Sequence, residues 1–256
     1  MNSEDTEVIK TLFQQQHGFI ISKIMFTAAE LGVFDLLRES EEPLTASAIA
    51  ECLDTSHVGM ERLLEACVFL KFLRMEKKDN KGLYGNTVLA DLYLAKSSPK
   101  SQYYYMKLQS DVYYPGLQYL TDAVREGKGQ VKSIHGPSMD DFFQYIYRSE
   151  EGMQTYFKAM ENSWNLFGRE VISEFDLSHF HLVCDLGGGG VLIVEPVLDD
   201  ERGESFGAHF ASIKLLLYNE GKTRTSSEHK ALLGVAGFKE IQAKNKGLYG
   251  AILGRK

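Results

Sequence analysis

Leu182-Val183-Cys184-Asp185-Leu186 is a short apolar run with an acid near its end, and Gly187, Gly188, Gly189 and Gly190 follow it directly. An apolar strand that leads through an acid into a glycine cluster is how many α/β folds open a nucleotide-type cofactor site. Glycine lets backbone approach the ligand, and a helix normally starts right behind the turn. Here Val191-Leu192-Ile193-Val194-Glu195 follows at once and has the composition of a second strand. The glycines are therefore expected to join strand to strand. The chain carries the entrance to a cofactor site without the elements that complete it.

Other chemistry is sparse. None of the seven histidines is followed by an aspartate, so the sequence offers no His-Asp general-base pair. Cys52, Cys67 and Cys184 are isolated, with no CxxC and no disulfide-like framework, which points to a reducing compartment and the cytosol. The N-terminus lacks the basic start and apolar run of a signal peptide, and no window approaches the length of a membrane span. The net charge of −7 argues against a general nucleic-acid or anionic-membrane binder.

The elements that must position these residues are mostly helical. At 256 residues the chain can bury a real core and hold one large or two small domains. Val8, Ile9, Leu12 and Phe13 make one apolar stripe. Phe19, Ile20, Ile24, Met25 and Ala28 make a richer second one, which is expected either to face more than its own domain or to be a central core helix. Leu31-Gly32 marks a stop. Thr45 is placed to cap a helix over 46–53, and another helix follows Asp54-Thr55 through Leu70. Short strands at 72–76 and 83–85 flank the polar tip 77–82. Helix, helix, helix, hairpin is the winged helix-turn-helix order, whose relatives often bind DNA. Charge excludes that use: residues 1–100 carry 11 Lys and Arg against 15 Asp and Glu.

Beyond the Ser97-Ser98-Pro99 break, 101–126 reads as a long tyrosine-rich helical segment that Pro115 kinks or divides. Further helices are expected from Asp140-Asp141 through Tyr147, and from Ser149 through Met153, Phe157, Met160, Trp164 and Val171. Aromatics at this density serve as core or as walls for a flat aromatic small molecule slotted between helices. Asp176-Leu177-Ser178 is the junction to a last lobe, with strands 182–186 and 191–195, helices near 205–218 and 226–235, and strands 240–243 and 249–253. Four glycines are too few for a parallel crossover, so 182–186 and 191–195 are expected to form a loose antiparallel hairpin.

Several stretches together resemble the plant-and-animal type of S-adenosylmethionine-dependent small-molecule O-methyltransferases. They are Phe26-Thr27-Ala28-Ala29-Glu30-Leu31-Gly32-Val33-Phe34-Asp35-Leu36-Leu37, Gly59-Met60-Glu61-Arg62-Leu63-Leu64, Leu120 to Gly127, Tyr147-Arg148-Ser149-Glu150, Cys184 to Gly189, and Leu248 to Lys256. The resemblance implies a mainly α chain with an α/β remnant. A winged-helix-like dimerisation domain would span 1–100, a helical linker and substrate wall 101–178, and a truncated Rossmann-like methyltransferase domain 179–256. It also implies S-adenosylmethionine as cofactor, held by Tyr147, Trp164, Asp185, Gly187 and Gly189. His17, with Gly18-Phe19, matches a segment that reaches the partner subunit's site.

Complete members of the family carry roughly ninety more residues between Gly190 and Val191, counted against the usual length of such a cofactor domain. That block supplies the helix behind the glycines, the acid that holds the cofactor ribose, and the strand leading to a His-Asp dyad. The dyad is the general base for the indole hydroxyl. A family asparagine and glutamine that face the substrate fall at Lys214 and Tyr218. Methyl transfer, with an indole small molecule as acceptor, is therefore expected to be lost. The alternative is a non-catalytic module that forms homodimers, or heterodimers with full-length subunits, without nucleic acid or membrane.

Overall fold

The computed structural model describes residues 3–177, 190–201, 203, 205–219, 221–246 and 249–255. The expected strand 182–186, its hairpin with 191–195, and site residues Asp185, Gly187 and Gly189 lie outside the described residues, as does Cys184. The chain divides into two units, Met1–Asp111 and Val112–Lys256.

The first unit opens with helices α1 (Ser3–Gln16), α2 (Gly18–Glu30) and α3 (Val33–Glu39). His17 breaks α1 from α2, its exposed ring stacking on Phe13 and donating from Nδ1 to the Phe13 carbonyl at 2.7 Å. Gly32 turns the chain into α3 at φ +84°, a conformation that only glycine adopts readily. Strand β1 (Leu44–Thr45) leads into α4 (Ala46–Cys52), where Thr45 Oγ1 accepts the Ala48 amide as its sequence position predicts. Helix α5 (His57–Phe69) is capped in the same way by Ser56. The hairpin β2 (Leu73–Lys78) and β3 (Lys81–Asn86) follows, and β1 pairs with β3 to complete an antiparallel sheet.

Phe34, Ile49, Met60, Leu64, Cys67 and Leu73 fill this unit's core. Burial pushes the Cys67 thiol up to about 12, which keeps it a neutral packing group. On α1 and α2, by contrast, Val8, Leu12, Phe13, Phe19 and Ile20 are exposed while Phe26, Ala28 and Ala29 are buried. The second stripe thus both enters the core and presents apolar surface outward.

The segment 101–126 corrects the expectation of a long helix with one kink. It consists of α6 (Tyr103–Leu108), a π turn over Gln109–Tyr113, α7 (Tyr114–Gly116), a 3₁₀ turn over Leu117–Tyr119, and α8 (Leu120–Glu126). Pro115 has no amide hydrogen and its ring would strike the carbonyl four residues back, so the backbone widens ahead of it.

In the second unit α8 is followed by α9 (Val131–His135), α10 (Phe142–Ile146) and α11 (Glu150–Ser173). Asp141 caps α10 and Ser149 caps α11 through their side-chain oxygens. Next come β4 (Gly190–Glu195), α12 (Phe206–Asn219), α13 (Ser226–Val235), β5 (Lys239–Lys246) and β6 (Tyr249–Arg255). The order β4-β6-β5 is antiparallel throughout. A reciprocal capping box between Thr225 and Glu228 starts α13. Leu192, Val194, Ala251 and Leu253 pack toward Val171 and Phe175 at the end of α11, whereas Val191, Ile193 and Ile252 pack with Val197 and Leu233.

Asn86 ties the hairpin of the first unit to its helices. Its buried Nδ2 donates to the Phe34 carbonyl and to Asp91 Oδ1, both at 2.8 Å. Asn86→Ala strands both acceptors and should destabilise the protein by about 1–3 kcal/mol, read as a lower urea midpoint at unchanged slope.

Candidate functional site

Gly190 is the first residue of β4 and lies opposite Arg255 of β6. The strand expected over 191–195 is therefore present and begins one residue earlier, at Gly190. Among the described residues no helix begins at Gly190 to present free amides to a ligand.

The described residues expected to hold the cofactor lie at α10 and α11. Tyr147, at the C-terminus of α10, stacks on Phe157 at 6.3 Å and tilts against Phe143 at 5.7 Å. Trp164 lies flat over Gly168, where a β-carbon would come within 2.3 Å of the indole. Neither is a core residue: Tyr147 is 48% and Trp164 44% exposed. Met153, Phe157, Met160 and Trp164 recur at helical spacing, so α11 presents one continuous apolar, partly aromatic face.

A second aromatic group gathers inside the unit around Tyr218 of α12. The Tyr218 ring is 2% exposed and meets Tyr113 edge-on at 5.2 Å and Phe142 at 5.3 Å. Its hydroxyl donates to the Val112 carbonyl at 2.6 Å. Burial pushes its pKa up, with Tyr145 adding to the effect, so it stays a neutral donor. Lys214, one helical turn earlier, places Nζ 4.8 Å from the centre of the Tyr113 ring. Desolvation pulls its pKa down to about 8.

His135 borders this cluster, 5.9 Å from Tyr218 and stacked on Tyr145 at 3.4 Å. Its Nε2 is buried and has no hydrogen-bond partner among the described residues. Burial, with Arg148 nearby, lowers its pKa to about 4.

Sequence reasoning missed one pair. His229, buried in α13, brings Nε2 to 2.8 Å from Oε1 of Glu195 at the end of β4. The two atoms lie within ion-pair distance but lack the alignment of a directed hydrogen bond. No sequence signal could find it, because 34 positions separate the two residues and only the sheet unites them. Of the other described histidines, His17, His57 and His209 are exposed. Among the described residues no cluster of His, Cys, Asp or Glu could hold a metal ion, and no helix is long and apolar enough to cross a membrane.

Comparison with known proteins gives these features a lineage. The O-methyltransferase dimerisation domain matches residues 13–96. The O-methyltransferase domain matches 117–190 and 187–239, two pieces that overlap at the glycine run. Chicken acetylserotonin O-methyltransferase is 36% identical, over 100% of this chain and 99% of that protein. The human protein is 30% identical over 100% of both. The crystal structure of human N-acetylserotonin methyltransferase in complex with SAM superposes with a TM-score of 0.91 at 29% identity, over 100% of this chain and 99% of that one. The chain belongs to the S-adenosylmethionine-dependent O-methyltransferase family. Within it, these relatives are acetylserotonin O-methyltransferases.

The match to the chicken protein runs over 344 aligned positions, but this chain has 256 residues, so at least 88 positions (344 − 256) face none of its residues. The residues that remain fit only one wall of the family's cofactor. The α11 face supplies aromatic surface, but Gly190 leads into a strand where a complete cradle has a helix N-terminus.

The lowered His135 pKa carries a pH dependence. An unfolded imidazole takes a proton below about 6.5, while the folded one takes it only near 4. Between those values the unfolded state binds more protons, so stability must fall as pH falls through this window. His135→Phe, which keeps the stack on Tyr145, should reduce the loss of melting temperature between pH 7 and 4.5 by about 2–4 °C relative to the parent. Differential scanning calorimetry of both proteins checks this, and parallel curves would refute it.

Proposed function

We propose that this chain is an acetylserotonin O-methyltransferase by descent whose own methyl transfer is lost, and whose remaining activity is association through its dimerisation domain. The observation that carries the reading is Gly190 opening β4 directly, where a complete cofactor site needs a helix. S-adenosylmethionine would supply an electrophilic methyl group. In a complete site, Tyr147 and Trp164 would pack about that cofactor, and Asp185, Gly187 and Gly189 would lie along its methionine end. The acceptor of this line is the 5-hydroxyl of N-acetylserotonin, giving melatonin.

Two requirements of the reaction support the proposal. The acceptor oxygen must be held in line with the methyl group, and a base must stand within hydrogen-bond reach of its proton. The two imidazoles enclosed in the second unit are poorly placed to act as that base. His135 is pressed against Tyr145, and His229 is buried on Glu195. The exposed apolar face of α1 and α2 supports association, with another copy or with full-length subunits. The buried Cys67 thiol and the free Cys52 suit a reducing, cytoplasmic setting.

With labelled S-adenosylmethionine and N-acetylserotonin, turnover should be absent even at high protein concentration, and calorimetric titration should show no micromolar cofactor binding. Turnover that scales with protein would overturn the proposal.

Light scattering on a size-exclusion column should give a dimer at micromolar concentration, and Phe19→Asp on the exposed face should shift it toward monomer. A parent that elutes as a clean monomer would sink the association claim.

A further inference from the structure

Helices α2 and α6 pack together in the first unit and leave an open cleft between them, about 280 Å³ with the solvent at its mouth included. The floor is apolar, with Phe26 of α2 and Met106 of α6 both almost fully buried. Tyr103 forms a side wall, and Lys96 Nζ lies 5.1 Å from the centre of its ring. Ser110 of the lining is only 9% exposed, yet its hydroxyl has no hydrogen-bond partner among the described residues. The exposed Glu30 carboxylate at the rim is likewise unpaired among the described residues. Lys107, also on the lining, is already held by Asp111 at 2.7 Å. Glu30 closes α2 at the end where the helix dipole disfavours an acid, and no basic residue in that last turn offsets it. A buried hydroxyl without a bond and an acid at the wrong helix end are both local costs, and exceptions of this kind concentrate at functional sites.

We propose that this cleft binds a small arylalkylammonium, with the ring on Phe26 and Met106, the charge answered by Glu30, and the Ser110 oxygen accepting from the ammonium. An ammonium carries three donors and no acceptor, so one such group can satisfy a hydroxyl oxygen and a carboxylate together. With Asp111 committed to Lys107, the charge left over on the lining is the negative one of Glu30, which disfavours an anion. A neutral alcohol of the same shape would leave Glu30 unanswered. Aromatic and thioether surfaces on the floor and wall favour a ring over a bare alkyl chain. The cleft is smaller than those that enclose drug-sized molecules, so it suits a single ring on a short chain. None of these residues belongs to the cofactor or acceptor positions, and the proposal depends on neither the loss of methyl transfer nor association.

Titrating 2-phenylethylammonium into the full chain with carbon-13-labelled methionine methyls should shift the Met106 signal saturably, with a Kd on the order of 1 mM. The Met153 and Met160 methyls of α11 should stay in place. Phenylacetate, with the same ring and the opposite charge, should leave Met106 unmoved, and 2-phenylethanol should bind several-fold more weakly than the amine. Glu30→Gln should weaken binding about threefold to fivefold and remove its salt dependence. Ser110→Ala should weaken it about tenfold. Because both groups lack a partner in the free protein, each variant should melt at or slightly above the parent temperature, which separates a binding role from a structural one. An unmoved Met106 signal, phenylacetate binding as tightly as the amine, unchanged affinity in both variants, or variants that melt well below the parent would each overturn the proposal.

Discussion

Strand β6 is the constraint on which the C-terminal unit depends. It pairs along one edge with β4 and along the other with β5, so its backbone groups are committed on both sides. Its residues from Gly250 to Gly254 are all buried, and they alternate between two cores. Ala251 and Leu253 meet the end of α11, and Ile252 meets Leu233 of α13. A one-residue slip would exchange these faces, so the pairing register is strongly specified. Tyr249 adds a polar anchor, its hydroxyl 2.6 Å from that of Ser163 on α11.

That constraint explains why the chain continues from Gly190 as a strand and not as a helix. Val191, Leu192, Ile193 and Val194 divide between the same two cores as β6. Packing them, half-buried, against those cores holds the chain extended from Gly190 onward. A helix beginning at Gly190 would leave β6 without its partner along six residue pairs and uncover both cores. The burial of several aliphatic side chains outweighs what a single helical turn could contribute. The same residues that keep the unit folded thus hold Gly190 in a strand.

Much of this was legible in the sequence, because the signals are local. The β4 run directly after glycine, the helices that became α12 and α13, the cap at Thr45, the start of α11 at Ser149 and the polar hairpin tip all follow from a few adjacent residues. The features that were not legible depend on distant partners. The bond from Tyr218 to Val112 spans 106 positions, and nothing near either residue announces it. Pro115 marked a break in 101–126 but could not show that the disturbance extends from Gln109 to Tyr119. Trp164 and Tyr147 looked as much like helix core as like a ligand wall, since apolar spacing shows that a face exists and not what covers it.

Folding and chemistry separate cleanly in this chain because different residues carry them. Stability in the second unit rests on period-two burial in β4 and β6 and on side chains such as Val171, Phe175 and Leu233. Reaction would require a cradle, a base and an open acceptor slot, none of which the sheet needs in order to form. Loss of a block between the glycine run and β4 therefore leaves β4 still able to find β6, since antiparallel pairing requires only that the two edges meet. A parallel neighbour would have been less forgiving, because it depends on a crossover of fixed hand and minimum length. A sheet that closes by antiparallel pairing among its last three strands can lose the chemistry upstream and still bury its core.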